Sequence, residues 1–150
     1  MTQTVAEHAA ADSRESYEVR LRSLHPAAEA ETMVAFARVL FGRAGTMVAA
    51  ELGENDRVAL VASAFRFFAR MAAPVRCRIW TPVRAEDGWD SPYTILETHL
   101  TDRPFIVDTI RAFLHQQRLV ARHLVHPIYA VERDAEGSLR ELRSLDTARR

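Results

Sequence analysis

Thr101-Asp102-Arg103-Pro104-Phe105 follows a run with strand periodicity and precedes one with helix periodicity. A carboxylate at such a turn can hold an ammonium group, and backbone N–H groups at the start of the helix can hold a carboxylate. Asp102, Arg103, Pro104 and Phe105 are therefore candidate ligand-binding residues for a zwitterion, with Glu97 and His99 nearby on the preceding strand. The plainer role for Asp102 is to satisfy the orphan N–H groups of its own helix. His99, His123 and His126 lack the i, i+4 spacing of helical metal ligands and have no cysteine with them, so no metal site is assigned. Cys77 alternates with Val75 and Ile79 and reads as a buried thiol, not a nucleophile. Ser63 and Ser91 lack a G-x-S-x-G setting. Asp108, Arg111 and His115 share a helix face opposite Ile106, Ile110 and Phe113, a solvated charged face. No catalytic residue emerges.

The elements that must position these groups follow from periodicity. Residues 1–23 read as a polar, flexible lead-in. Ser23-Leu24-His25-Pro26 opens a helix over about 26–44, with Met33, Phe36, Ala37, Leu40 and Phe41 at helical spacing. A second helix covers about 56–73, capped by Asn55 or Asp56, and Val58, Val61, Ala62, Phe65, Phe68, Ala69 and Ala72 form its buried stripe. After Pro74 the period becomes two, giving a strand over 75–83 whose Val75, Cys77 and Ile79 face inward. A turn-rich stretch leads to a strand over 93–101, a helix over 104–117 and a strand over 119–133 interrupted at His126-Pro127. Asp134-Ala135-Glu136-Gly137 is a hairpin turn before a strand over 138–144.

The resulting order, α-β-β-α-β-β, is a circular permutation of the ferredoxin-like order. It predicts an α+β sandwich, a four-stranded antiparallel sheet with two helices on one face and an extra N-terminal helix. The other sheet face would carry Arg76, Arg78, Trp80, Glu97 and His99. A Trp there calls for cover by the first helix, another subunit or another domain, so Arg76, Arg78 and Trp80 are candidate interface residues.

The chain has 150 residues, a formal net charge of +0 and a single cysteine. That suits one globular domain and excludes a disulfide framework. Balanced charge argues against a nucleic-acid or acidic-membrane partner, and no apolar run reaches the roughly 20 residues of a membrane span. The start lacks a secretory signal, so the expected location is cytoplasmic. All 20 basic residues are arginine. No lysine-dependent chemistry can reside in this chain.

Two stretches go further. Asp102-Arg103-Pro104-Phe105-Ile106-Val107-Asp108 resembles the strand–turn–helix signature of ACT regulatory domains, which bind amino acids and carry glycine where this chain has Phe105. Together with Arg78-Ile79-Trp80-Thr81-Pro82, Gly88-Trp89-Asp90-Ser91-Pro92, His126-Pro127-Ile128 and Arg133-Asp134-Ala135-Glu136-Gly137, it resembles the N-terminal region of the large bacterial NAD-specific glutamate dehydrogenases. The resemblance covers about residues 36–143. It implies one ACT-like domain over 24–150, a non-catalytic regulatory or oligomerisation module. The parent enzyme would oxidatively deaminate L-glutamate to 2-oxoglutarate. NAD would bind in the parent's downstream region, with no cofactor in this segment. Implied partners are downstream domains of the same enzyme, further copies in a homo-oligomer, and an amino-acid effector. The five glycines form no G-x-G-x-x-G, in keeping with that division. Two other readings stand beside it, a docking module with no small ligand and a stand-alone ferredoxin-like protein or RNA adaptor.

Overall fold

The computed structural model describes residues 16–42 and 45–143. Helix α1 occupies residues 16–24, and α2 (Ala27–Leu40), α3 (Thr46–Glu51) and α4 (Glu54–Ala69) follow. Strand β1 (Val75–Trp80), the single turn α5 (Arg84–Asp87) and strand β2 (Ile95–Leu100) come next. Helix α6 (Ile106–Gln116), β3 (Ala130–Arg133) and β4 (Leu139–Arg143) complete the order.

The core is helical. Tyr17 and Leu21 from α1, Met33, Val34, Phe36 and Ala37 from α2, and Val58, Val61, Phe65 and Phe68 from α4 are buried together. Each large apolar side chain taken out of water there contributes about 1.5–3 kcal/mol. The expected lead-in at 1–23 is thus corrected over its described part: apolar Tyr17 and Leu21, one turn apart, make that stretch a core helix. Residues 1–15 lie outside the described residues. Glu18 fixes the α1–α2 contact by accepting two bonds from Arg38, at 2.8 and 2.7 Å. Bidentate geometry makes this a stronger pair than a typical surface bridge. Tyr17 meets Phe41 edge-on, with ring centroids 5.4 Å apart.

The helix expected over 26–44 ends at Leu40, and chain from Gly45 onward builds the separate α3; residues 43–44 lie outside the described residues. Helix α4 begins one to two residues before the expected caps, with Gly53 as N-cap and no capping side chain. It ends at Ala69, well before Pro74, because Arg70 turns extended and bridges Ser138.

Both hairpins are antiparallel as expected. Val75 pairs with Leu100 and Ile79 with Leu96 in the first, and Val131 pairs with Leu142 in the second. The single four-stranded sheet is not formed: the strands make two separate two-stranded sheets. The physical reason lies in 118–129, expected as the first half of a long strand. Arg118 takes the left-handed conformation at φ 57°, Pro127 has no N–H to donate, and Arg122 and His123 are drawn to Glu51 of α3. Only Ala130–Arg133 remains to form a ladder. The last strand ends its described part at Arg143.

The faces of the first hairpin are also inverted. Val75, Cys77 and Ile79 point outward, and Ile79 is 67% exposed. Arg76, Arg78 and Trp80 face α4. Arg76 Nη1 donates to the Phe67 carbonyl at 2.7 Å, and Arg78 Nη2 donates to the carbonyl and hydroxyl oxygens of Ser63 at 3.2 and 3.1 Å. A helix end with unclaimed carbonyls offers arginines more than it offers an aliphatic row.

The second hairpin turns at Gly137, whose φ is +79°. A Cβ there would lie 2.1 Å from the Met71 carbonyl oxygen, which belongs to the residue whose N–H bonds Gly137 O at 2.8 Å. Gly137→Ala is expected to cost about 1–3 kcal/mol, lowering the melting temperature by roughly 2–4 °C per kcal/mol. Thermal unfolding followed by circular dichroism measures it, and an unchanged midpoint contradicts the turn geometry.

Candidate functional site

The strand-to-helix turn at 101–105 is exposed throughout. Phe105 is the N-cap of α6 and takes φ 68°, the left-handed region that a residue with a Cβ enters at a cost of about 1–2 kcal/mol. Its ring is 75% exposed, so no packing offsets that cost within the chain. No side chain caps α6, and Asp102 does not serve it. The Asp102 carboxylate instead lies 3.8 Å from His126 Nε2. The sequence does not connect His126 with the turn; the fold carries it back there. Arg103 and Pro104 are exposed beside it.

Glu97 and His99 are held elsewhere. They point under the hairpin toward α4, where Glu97 pairs with Arg78. Arg78 in turn lies over the rings of Trp80 and Phe67, 3.9 and 4.8 Å from their centroids. His99 packs against Phe68 with ring centroids 5.2 Å apart, and its Nε2 is 3.4 Å from Arg133 Nη2. The six expected ligand residues therefore divide into an exposed turn and a covered pair. Of the expected interface residues, Arg76 and Arg78 are engaged with α4 of the same chain, and Trp80 lies under the Arg78 guanidinium.

A group that sequence reasoning missed lies at the carboxyl end of α4. Arg133 Nη2 donates to Phe68 O at 2.8 Å, and its Nη1 donates to Ala69 O and Gly137 O at 3.1 and 3.0 Å. Arg76 serves Phe67 O and Arg70 O from the other side. Helix carboxyl ends favour cations. Burial, then Arg76, draws Arg133 below the usual guanidinium value. A single Arg in a four-residue strand carries no sequence signal for such a role. A polar cleft at the opposite end of α4, lined by Arg20, Glu54, Asn55 and Arg84, is already neutralised where Arg84 meets Asp56 and Asp90 at 3.1 and 2.7 Å.

Among the described residues, no three His, Cys, Asp or Glu side chains are grouped to hold a metal ion. The strand-to-helix turns at 81–83 and 101–105 contain no glycine. No helix among the described residues is long and apolar enough to cross a membrane.

Comparison with known proteins decides the family. Residues 36–150 match the family described as glutamate dehydrogenase, ACT1 domain. The chain belongs to this family. The NAD-specific glutamate dehydrogenase of Pseudomonas aeruginosa is 30% identical over 89 residues, 59% of this chain and 6% of that protein. The enzyme of the same name from Halomonas elongata is 25% identical over 146 residues, 96% of this chain and 9% of that protein. The chain thus spans less than a tenth of the length of these curated relatives. No solved structure matches it. Within the ACT1 domain, Gly88-Trp89 now has a physical role: Gly88 caps α5 at φ 79°, and Trp89 is buried in the core.

Two predictions follow from this geometry. Burial first, then Arg133 and Arg76, lowers the His99 pKa from 6.5 to about 4. Between those values the unfolded chain binds a proton that the folded chain does not, so stability is full above pH 6.5 and declines as pH falls toward 4. His99→Phe should shrink the difference between urea midpoints at pH 7.5 and 5.0, and an undiminished difference contradicts the assignment. Phe105→Gly removes the left-handed strain and little burial. It is expected to raise the melting temperature by a few degrees, at roughly 2–4 °C per kcal/mol.

Proposed function

We propose that this ACT1 domain is a non-catalytic regulatory module of a large NAD-dependent glutamate dehydrogenase, in which an amino acid binds at the Asp102–Phe105 turn. The supporting observation is the arrangement at that turn. The Asp102 carboxylate is exposed within reach of an ammonium group, and the first-turn N–H groups of α6 have no capping side chain. The helix start favours the ligand's carboxylate. The Phe105 ring stands in solvent, where glycine stands in the ACT signature the turn resembles. Arg103 and Pro104 line the same turn. Glu97 and His99, covered by α4, act on it only through the strand that ends beside it.

Oxidative deamination of L-glutamate to 2-oxoglutarate, with NAD, belongs in this reading to chain outside these residues. The effector acts by binding one arrangement of domains better than another, since only differential affinity shifts an equilibrium. Downstream domains of the same enzyme and further copies in a homo-oligomer are the macromolecular partners. A docking role without a small ligand is favoured by one separate observation, the exposed apolar residues Val75, Ile79 and Leu96 on the outer face of the first hairpin.

Isothermal titration of the 150-residue chain with the common amino acids tests the ligand. At least one is expected to bind at or below millimolar concentration, and Asp102→Ala should weaken it by roughly tenfold, about 1.4 kcal/mol. Absence of binding by every amino acid overturns the sensing role and leaves the docking role.

A further inference from the structure

The chain leaves α6 through a closed helix end. Arg118 takes φ 57°, and the N–H groups of Arg118 and Leu119 bond back to the carbonyls of His115 and Leu114 at 3.0 and 2.9 Å. Glycine is the usual residue at the left-handed position of this arrangement. Beyond it, residues 120–129 form no backbone–backbone hydrogen bond among the described residues. Val120 is 94% exposed, so apolar packing does not hold this start of the segment either. A stretch without backbone bonds is easily displaced, and its position depends on its side chains.

Those side chains reach two carboxylates on different elements. Arg122 Nη2 donates to Glu51 Oε1 at 3.1 Å, and His123 Nε2 lies 3.1 Å from Glu51 Oε2. Arg122, then His123, holds the Glu51 carboxyl below its ordinary range. The Arg122 guanidinium also stands over the Tyr93 ring, 5.2 Å from its centroid. Three residues further on, His126 Nε2 lies 3.8 Å from Asp102 Oδ1. Glu51 belongs to α3, which packs on the core through Val48 and Ala49. Asp102 belongs to the turn that precedes α6. Only Leu124 and Val125 separate the two histidines, so a displacement at one anchor is felt at the other.

We propose that residues 118–126 form a strap coupling the Asp102 turn to α3, held by His126 on Asp102 and by Arg122 and His123 on Glu51, and released when an effector's ammonium group takes Asp102. The competition is electrostatic. An ammonium group at that carboxylate and a protonated His126 beside it repel each other, so Asp102 favours one cation at a time. Exposed ion pairs are weak, so a ligand of modest affinity is enough to displace His126. The coupling is reciprocal. Loosening the strap at Glu51 withdraws a competitor from Asp102, and a change on α3 thereby tightens binding at the turn.

This deepens the regulatory reading given above and rests on it for the ligand, while the strap itself is read in the free chain. Backbone ¹⁵N relaxation of the 150-residue chain at pH 6.0 is expected to give residues 120–126 order parameters near the rigid value of about 0.85. Asp102→Asn should lower them toward about 0.6 at Arg122 and His123 as well as at His126. Glu51→Gln should do the same at His126 as well as at its own partners. Both substitutions alter exposed side chains, and the circular dichroism spectrum should not change. In the titration with the common amino acids, Glu51→Gln should bind the effector roughly threefold more tightly than the unaltered chain. A strap already disordered in the unaltered chain overturns the proposal, as does a loss of order confined to the substituted anchor. Binding of an amino acid with equal affinity by both forms overturns the coupling and leaves the effector turn standing. Binding of no amino acid by either form overturns the effector turn and the release step together, whatever the order parameters show.

Discussion

The carboxyl end of α4 is where this fold is joined. A helix ending inside a protein leaves its last carbonyls without N–H partners, and burying them unpaired costs about 1–3 kcal/mol apiece. Here the carbonyls of Phe67, Phe68, Ala69 and Arg70 are claimed by two guanidinium groups from different hairpins. Arg76 comes from β1 and Arg133 from β3. One helix terminus thereby holds two sheets that share no ladder. The guanidinium groups of the same side chains lie over Phe67 and Phe68, with their central carbons 4.4 and 5.1 Å from the ring centroids. Arginine suits this place because its five donors reach several carbonyls at once while its flat face stacks on an aromatic ring.

That constraint accounts for other features. Burial first, and then the two arginines beside it, disfavour the charged form of His99 under the hairpin. Gly137 has no alternative because its carbonyl is held by Arg133 and by the Met71 N–H, which brings backbone too close for a Cβ. Tyr129 fixes the other end of the second hairpin. It stacks on Phe36 with centroids 4.9 Å apart and donates its hydroxyl to the Phe36 carbonyl at 3.1 Å. Burial raises its pKa, which favours the protonated, donating hydroxyl.

The same choice leaves Val75, Cys77 and Ile79 on the outer hairpin face to water. With Arg76 and Arg78 turned inward, strand pleating requires Val75, Cys77 and Ile79 to turn outward. A regulatory module has use for such surfaces.

Much was legible in the residues themselves. Hydrophobic period placed α2, α4, β1, β2 and α6 within a few residues, because each carries a long enough pattern to exceed its alternatives. Asp134 to Gly137 announced its turn through a residue able to take positive φ. The ordered motifs from Arg78 to Gly137 also pointed to the family, since they are local strings. Tertiary structure decided the rest. Alternation shows that β1 has two unlike faces, but the neighbour decides which one is inside; here a helix terminus outcompetes the aliphatic row. A strand pattern over 119–133 shows what the chain can do, while the pull of Glu51 on Arg122 and His123 takes half of it away. At Phe105 the sequence shows only a departure from the glycine of the ACT signature, and the backbone alone reveals a strained, exposed side chain. Local pattern is set by covalent neighbours, whereas burial and partnership are set by whatever surface the rest of the chain brings alongside.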